Sequence, residues 1–302
     1  MKAIRFEAPG GPEVMKLVEV GVGEPLAGQV RVRHTAIGVN FIDTYHRSGL
    51  YPMPMPSGLG MEAAGIVEAV GDGVAHLNVG DRVIYFTNPP GAYATHRVLD
   101  ARPLVKLPDS ITDAQAAALW LKACTVESLV QRCARVQPGQ TVLVPAAAGG
   151  VGVLLCQWLK SMDVTVIGTV GSPDKADIAR AAGADHVLPY ADVPARVREI
   201  TNGEGVDAAI DGVGRATFET SLDSLKRRGI LASFGNASGP VAPFEMGLLA
   251  RKGSLFVTRP TLFDYYATAE DFAQGTAAVF AKISAGALKA HIGQTFPLAD
   301  AV

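Results

Sequence analysis

The sequence predicts an α/β protein in which a doubly wound parallel sheet accompanies an irregular β domain. Two patterns carry that prediction. Over the first ~120 residues, short alternating apolar runs are interrupted by Gly and Pro, as in QVRVRHTAIGV, GIVEAVG, GDRVIYF and AYATHRVL. Period-two alternation with frequent breakers is the mark of short strands. From Thr141 onward, strand-like and helix-like runs alternate: TVLVPA and GVGVLLCQWLKSM, VTVIGTV and SPDKADIARAAG, then DHVLPY, VDAAIDGV, GILASFG and GSLFVT. Apolar strands linked through helices pair in parallel, because each crossover returns the chain to the same end of the sheet. Between the two regions, TDAQAAALWLKACTVESLVQRCARV has helical periodicity. Past about residue 260 the strong α/β rhythm fades.

Composition narrows the class. The chain has 302 residues, 48% of them hydrophobic and 19% charged, enough to bury a large core. The net charge is −2 and the basic residues are dispersed, which argues against a nucleic-acid surface. The start MKAIRFEAPG lacks the apolar run of a signal peptide, and no stretch approaches the ~20 apolar residues of a membrane span. A cytoplasmic protein is expected. The cysteines, Cys124, Cys133 and Cys156, are odd in number and widely spaced, so neither a disulfide framework nor a C-x-x-C zinc site is expected. Cys156 lies in an apolar helical run and reads as a buried, inert thiol.

The most informative stretch is TVLVPAAAGGVGVLL. It sets Gly149, Gly150, Val151 and Gly152 between a buried strand and a helix. A pyrophosphate must reach backbone N–H groups there, and side chains would block it. The helix start adds unpaired donors and partial positive charge. In this strand–turn–helix context the glycines read as a dinucleotide loop. NAD sites place an acidic residue at the end of the second strand, about 20 residues on. Here Gly171 and Ser172 occupy that place and Lys175 follows. A small residue leaves room for a 2′-phosphate and a lysine can neutralise it, which favours NADPH. Two other readings stay open: Ser172-Pro173-Asp174 also makes a good helix start, and Asp174 could bind a ribose.

The segment GLGMEAAGIVEAVG has the spacing G-x-E-x-x-G-x-x-x-x-x-G over Gly60, Glu62, Gly65 and Gly71. Together with NFIDTYHRSGLYP, AAAGGVG, GTVGS, SFGNASGPV and GSLFVTRPTL, it resembles the zinc-free, zeta-crystallin-like quinone oxidoreductases of the medium-chain dehydrogenase/reductase superfamily. The resemblance runs nearly end to end. It implies a GroES-like catalytic domain at 1–122 and 264–302, with a Rossmann NADPH-binding domain at 123–263 inserted in it and the active site in the cleft. It also implies NADPH-dependent reduction of quinones by a homodimer. Where zinc-dependent relatives carry a histidine before the glutamate, this chain has Met61, a poor zinc ligand. No metal site is expected, and the segment reads as scaffold.

The same resemblance nominates site residues. Asn40, Asp43, Tyr45 and Tyr51 match the active-site loop, with Asn40 and Tyr51 near the nicotinamide and the substrate oxygens. Thr125 matches a threonine facing the nicotinamide end, and Tyr190 a residue beside the adenosine. Phe234, Gly235, Asn236 and Ser238 match the loop near the nicotinamide ribose. Phe256, Val257 and Thr258 match the strand passing the nicotinamide amide. Each has a plainer reading: Asn40 as a turn cap, Asp43 as a loop acceptor, Tyr51 as a packing aromatic, and Asn236 as a turn residue. The chain departs from the pattern at His46, Glu127, Ser128 and Pro145, which predicts a more polar or differently shaped neighbourhood. It ends at PLADAV, where the resemblance implies a further helix, a last strand and an arginine near the 2′-phosphate.

No acid–base dyad stands out, and the expected chemistry is ring stacking plus hydride or electron transfer, with the last proton from solvent. Alternatives are a zinc-free reductase of enones, alkenals or enoyl thioesters, and an NADPH-binding structural or RNA-binding protein. GSLFVT reads as the last strand of the sheet. An open apolar edge is a hazard that pairing with a second copy removes.

Overall fold

The computed structural model describes residues 1–301; Val302, the last residue of the expected catalytic segment, lies outside the described residues. The chain forms two compact units, Met1–Leu121 with the chain from Ala290 onward, and Lys122–Lys289.

The first unit contains β1 (Lys2–Phe6), β2 (Lys16–Glu19), β3 (Gln29–Gly38), α1 (Phe41–Ser48), β4 (Ser57–Gly58), β5 (Glu62–Val70), β6 (Arg82–Phe86), β7 (His96–Asp100) and β8 (Leu104–Lys106). They form two antiparallel sheets, one ordered β2-β1-β4 and the other β7-β3-β5-β6-β8. The sheets are irregular, as the broken alternation predicts: β3 slips register against β5 at Arg31/Val32 and again at His34/Ala36. Val30, Val32, Val67, Val83 and Tyr85 make one core; Ile4, Phe6, Met15, Leu59 and Tyr93 make another. Met61 is 1% exposed, so its side chain is core packing. Gly60 has φ +88° and lies against Tyr93, where a Cβ would overlap the ring. That position needs glycine on both counts.

One half-buried group in this unit gives the fold a pH dependence. The His34 ring is held between the Ala94 carbonyl (Nδ1, 2.7 Å) and the Tyr85 hydroxyl (Nε2, 2.9 Å). Burial, with Arg97 and His96 nearby, lowers its pKa from 6.5 to about 4. The fold therefore favours the neutral ring. Its contribution is complete above the unfolded value of 6.5 and is lost as pH falls toward 4. Urea unfolding should show stability falling by up to about 1.4 kcal/mol per pH unit across that window. His34→Gln should flatten the slope; an unchanged slope would assign it to other groups.

A long helix, α2 (Asp113–Glu127), begins in the first unit and ends in the second. The second unit continues with β9 (Thr141–Val144), α3 (Gly150–Lys160), β10 (Thr165–Val170), α4 (Pro173–Ala181), β11 (His186–Pro189), α5 (Val193–Ile200), β12 (Val206–Asp211), α6 (Phe218–Ser224), β13 (Leu225–Ser233), α7 (Gly247–Arg251), β14 (Phe256–Thr258), α8 (Leu262–Tyr265) and α9 (Ala269–Ser284). Six parallel strands run in the order β11-β10-β9-β12-β13-β14. The order reverses between β9 and β12, so the strand ends there form the crevice where doubly wound sheets bind ligands. Leu143, Ile167, Val197, Leu222 and Leu231 fill the core. Cys156 is buried in α3, where burial pushes its thiol up to about 12, as its apolar surroundings predict.

Two features go beyond the sequence pattern. The helix after Glu127 widens into a π-helical stretch, Ser128–Cys133. The fading rhythm past residue 260 hides α9, whose Lys282 donates to Ser161 (2.6 Å) and lies 5.5 Å from the Trp158 ring, while Asp271 pairs with Arg132 at 3.5 Å. These contacts hold α9 within the second unit, whose compact boundary falls after Lys289, whereas the resemblance implies 263/264.

Candidate active site

In the first unit, the loop motif NFIDTYHRSGLY becomes α1 and its flanks. Asn40 is the N-cap and Asp43 stands three residues on, where its carboxylate accepts the Asn40 N–H at 2.9 Å. This is the acidic half of a capping box, and the negative charge also suits the helix start. Asp43 takes a second bond from the Tyr93 hydroxyl at 3.0 Å. That proximity and burial raise the Tyr93 pKa, burial first. The Asn40 amide donates to Glu62 Oε1 at 2.6 Å, and the Leu121 N–H donates to Glu62 Oε2 at 2.7 Å. Asn40, Asp43 and Glu62 are all buried.

Aromatic rings cover the other face of α1. Tyr45 meets Phe41 edge-on at 5.4 Å and Tyr51 at 5.2 Å between centroids. The chain folds back so that the Tyr51 N–H reaches the Tyr45 carbonyl at 3.1 Å. His46 lies 6.0 Å from the Tyr51 ring, buried, and desolvation lowers its pKa. At neutral pH the ring therefore carries no charge, and this departure adds bulk rather than a cation. Val39 and Phe41 are 73% and 59% exposed. Exposed apolar side chains flanking a buried polar cluster suit a flat, partly apolar ligand.

The donors in this unit do not fit a zinc ion. Met61 is packed in the core and both Glu62 oxygens accept hydrogen bonds. Among the described residues, no group of three His, Cys, Asp or Glu is placed to hold a metal.

In the second unit, the dinucleotide loop forms the turn from β9 into α3. Pro145 is buried just past the strand. Ala146 takes φ +54°, and its N–H donates to the Tyr190 hydroxyl (3.1 Å). A Cβ on Gly152 would overlap the Ala146 carbonyl oxygen, so glycine there lets the helix close on the turn. Gly149 is the N-cap of α3, exposed and without a side-chain cap, and Gly150 is exposed beside it. The first N–H groups of α3 thus start from exposed glycines, with the Lys122 side chain beside Gly150, a cationic cradle that fits a diphosphate.

The neighbouring strand ends complete this crest. Gly171 follows β10, and a Cβ there would contact the Tyr190 ring at 3.8 Å. Ser172 stands at the N-cap position of α4 without a side-chain cap bond, and Lys175 is exposed in its first turn. Asp174 in the same turn suits the helix start, and Lys175 beside it could pair with a phosphate. After β12, the buried Asp211 carboxylate accepts from the Val213 and Gly214 N–H groups and from the Thr217 and Ser221 hydroxyls. It shapes the loop that meets Phe234, Gly235 and Asn236. A Cβ on Gly235 would strike the Gly212 carbonyl, and one on Gly212 would strike the Phe234 ring.

The expected residues do not all serve alike. The Ser238 hydroxyl accepts from the Ala216 N–H (2.9 Å) and donates to the Val213 carbonyl (2.8 Å), so it ties two loops together. Thr258 and Val257 reach the ligand edge beside Ala232 and Leu231. Phe256 stands two residues back, about 7 Å along the strand, and is 60% exposed on the outer edge of the sheet. Thr125 lies in the second-unit part of α2, where its carbonyl accepts from Ser128. Glu127, expected to make the neighbourhood polar, is fully buried and bonded to Arg132 and Tyr266.

Sequence reading missed three contributors. Glu62 and Tyr93 bond Asn40 and Asp43 from 22 and 50 residues away. No local pattern reports such partners, although the glutamate between glycines was a visible oddity. Asp211 closes its strand as DGVG, and an acid followed by glycines was the available signal for a loop-anchoring carboxylate.

Comparison with known proteins agrees with this architecture. Residues 26–109 match the alcohol dehydrogenase GroES-like domain and residues 150–279 the zinc-binding dehydrogenase family. The chain is 50% identical to a quinone oxidoreductase of Pseudomonas aeruginosa, over 99% of this chain and 93% of that protein. It is 43% identical to a 2-haloacrylate reductase of Burkholderia sp, over 97% and 90%. The crystal structure of Escherichia coli quinone oxidoreductase complexed with NADPH superposes with a TM-score of 0.97 at 46% identity, covering all of this chain and 94% of that one. With a parallel Rossmann sheet, a GroES-like β unit and full-length identity of this order, the chain belongs to the quinone oxidoreductase family of the medium-chain dehydrogenase/reductase superfamily.

Proposed function

We propose that the chain is an NADPH-dependent quinone oxidoreductase that works without a metal. The observation that carries this reading is the exposed, glycine-lined start of α3, with Lys122 beside it and Lys175 in the first turn of α4. The supporting comparison is a relative, 46% identical, solved with NADPH. Gly149, Gly150, Val151 and Gly152 would hold the diphosphate. Gly171, Ser172 and Lys175 would hold the 2′-phosphate, and Tyr190 would flank the adenosine. Phe234, Gly235, Asn236, Val257, Thr258 and Thr125 would line the nicotinamide half, with Ser238 bracing its loop.

Bound there, the nicotinamide supplies two electrons and one proton, as a hydride or in separate steps, and is itself oxidised; the quinone gains a second proton from solvent and leaves as hydroquinone. Asn40 and Tyr51 donate hydrogen bonds to the acceptor oxygens. Asp43 secures the helix start that carries Asn40, and Tyr45 buttresses Tyr51. Neutral donors suffice because the reduced oxygen is a delocalised phenolate, which needs less stabilisation than an alkoxide.

NADPH oxidation should be measured with 1,4-naphthoquinone, 2-chloroacrylate, an alkenal and an enoyl thioester, each also with NADH. Quinone turnover at the highest kcat/KM supports the proposal. A 2-chloroacrylate rate above it would favour the second reading, reduction of an activated alkene, which the identity to a 2-haloacrylate reductase supports. Lys175→Ala should raise KM for NADPH about tenfold, the value of one charge-assisted contact to phosphate, and leave KM for NADH nearly unchanged. Equal losses with both would remove Lys175 from the 2′-phosphate.

A homodimer joined at β14 is part of the proposal. This edge strand presents Phe256, and Phe244 and Met246 are also exposed in the same unit. Phe256→Asp should shift sedimentation from dimer to monomer; a dimer of unchanged affinity would place the interface elsewhere. Among the described residues no helix is long and apolar enough to cross a membrane. The dispersed charge fits a cytoplasmic enzyme without a nucleic-acid partner.

A further inference from the structure

The glutamate in GLGMEAAG is hydrogen-bonded to Asn40, a residue of the proposed site. Its strand register pairs Glu62 with Gly38 across β5 and β3. A Cβ on Gly38 would overlap both the Glu62 carboxylate and the Ala117 carbonyl of α2. The missing side chain at Gly38 is therefore what lets a carboxylate enter between sheet and helix. There, fully buried, one oxygen accepts the Leu121 N–H at 2.7 Å and the other accepts the Asn40 amide at 2.6 Å.

A carboxamide can be rotated by half a turn with little change in shape, exchanging its oxygen for its NH2. At Asn40 the choice decides whether the acceptor oxygen meets a donor or a second acceptor. A carboxylate accepts only, so it selects the rotamer with NH2 toward Glu62. The second N–H of that NH2 then has a fixed direction. The Leu121 bond holds the carboxylate itself, so that it does not follow Asn40. Fixed donors that need no reorganisation are the effective ones for stabilising developing oxyanion charge.

We infer that Glu62 is a positioning residue for the reduction, fixing the Asn40 amide as a hydrogen-bond donor through a carboxylate braced by the Leu121 N–H. This rests on the proposed role of Asn40 toward the acceptor oxygen.

The test uses Glu62→Gln, Asn40→Ala and the double variant Asn40→Asp/Glu62→Gln, with 1,4-naphthoquinone as acceptor. Readouts are kcat, KM, NADPH affinity and thermal midpoint. In Glu62→Gln the introduced carboxamide offers one acceptor oxygen for two donors. The single variant should therefore lose at least about tenfold in kcat, a fraction of the loss on removing an oxyanion donor, with NADPH affinity within about twofold of wild type. The double variant reverses the bond, with the introduced glutamine amide donating to the introduced aspartate. It should recover thermal midpoint but not kcat, because the aspartate side chain has no N–H to offer. Recovery of both together would make Glu62 a scaffold residue and overturn the inference, as would a Glu62→Gln enzyme with wild-type kcat. If Glu62→Gln does not fold, Glu62→Asp decides. A folded enzyme with reduced kcat supports the inference; wild-type kcat, or failure of this variant also to fold, overturns it. Asn40→Ala separates the two layers: unchanged kcat there removes Asn40 from the reaction and with it the proposed site. Reduced kcat there with an unaffected Glu62→Gln enzyme removes only the inference.

Discussion

Gly149→Asp should abolish useful NADPH binding without unfolding the protein. Gly149 is the N-cap of α3, with extended φ −79° and ψ 171°, so any residue can adopt its backbone. An added Cβ lies 3.1 Å from the Ala146 carbonyl oxygen, tight but open to a small adjustment. Asp is a favoured N-cap and gains a few tenths of a kcal/mol over Gly. The same carboxylate would stand where the diphosphate is proposed to bind. Like charges about 4 Å apart repel by roughly 4 kcal/mol at the effective dielectric of a protein surface. NADPH Kd should therefore rise by at least about 100-fold, while the thermal midpoint stays level or rises. Gly149→Ser, which caps without charge, should lose far less. Fluorescence titration and thermal melting check both halves. An Asp variant that binds NADPH within a few-fold of wild type would move the diphosphate away from this helix start.

Glu127→Ala should cost the second unit about 3–5 kcal/mol of stability. Glu127 is fully buried, 2.6 Å from Arg132 and 2.9 Å from the Tyr266 hydroxyl. The Arg132 guanidinium also lies 4.7 Å from the Tyr266 ring centroid and donates to the Tyr265 carbonyl. Burial, with Cys124 and Glu127 close by, raises the Tyr266 pKa, so its hydroxyl stays protonated and donating. Removing the glutamate leaves a largely enclosed guanidinium whose remaining anion among the described residues is Asp271, at 3.5 Å. Tyr266→Phe loses one bond to the carboxylate and should cost about 1.5–3 kcal/mol. Replacing both charges, in Glu127→Met/Arg132→Met, should cost much less than Glu127→Ala, because no charge is stranded. Denaturant midpoints decide. If the double variant is the least stable of the three, the ion pair contributes net stability and the desolvation argument fails.

This cluster also shows how far a local departure can be read. At the sequence level Glu127 predicts a polar neighbourhood beside Thr125. The structure turns it inward to Arg132, five residues along the π-helical stretch, and to Tyr266, 139 residues away. The polar group is the same, but its partners decide whether it meets a ligand or an interior cation. Ser238 is similar: its loop matches a cofactor loop, yet its hydroxyl is engaged by Val213 and Ala216.

The parallel unit was legible because its signals are local. Apolar strands, helical periods and glycines at a strand–helix turn act within a few residues, and they placed β9 through β14 and the dinucleotide loop. Met61 in place of a histidine also settled, from one position, that the loop offers zinc a poor donor. What residue order could not show is contact between distant residues. Glu62 is buried against Gly38, braced by Leu121 and bonded to Asn40; Tyr93 holds Asp43; α9 belongs with the second unit. Each arises from packing across tens of residues, where only the folded chain brings donor and acceptor within 3 Å or so. GLGMEAAG and NFIDTYHRSGLY were separate words in the sequence, and the tertiary fold joins them through one buried carboxylate.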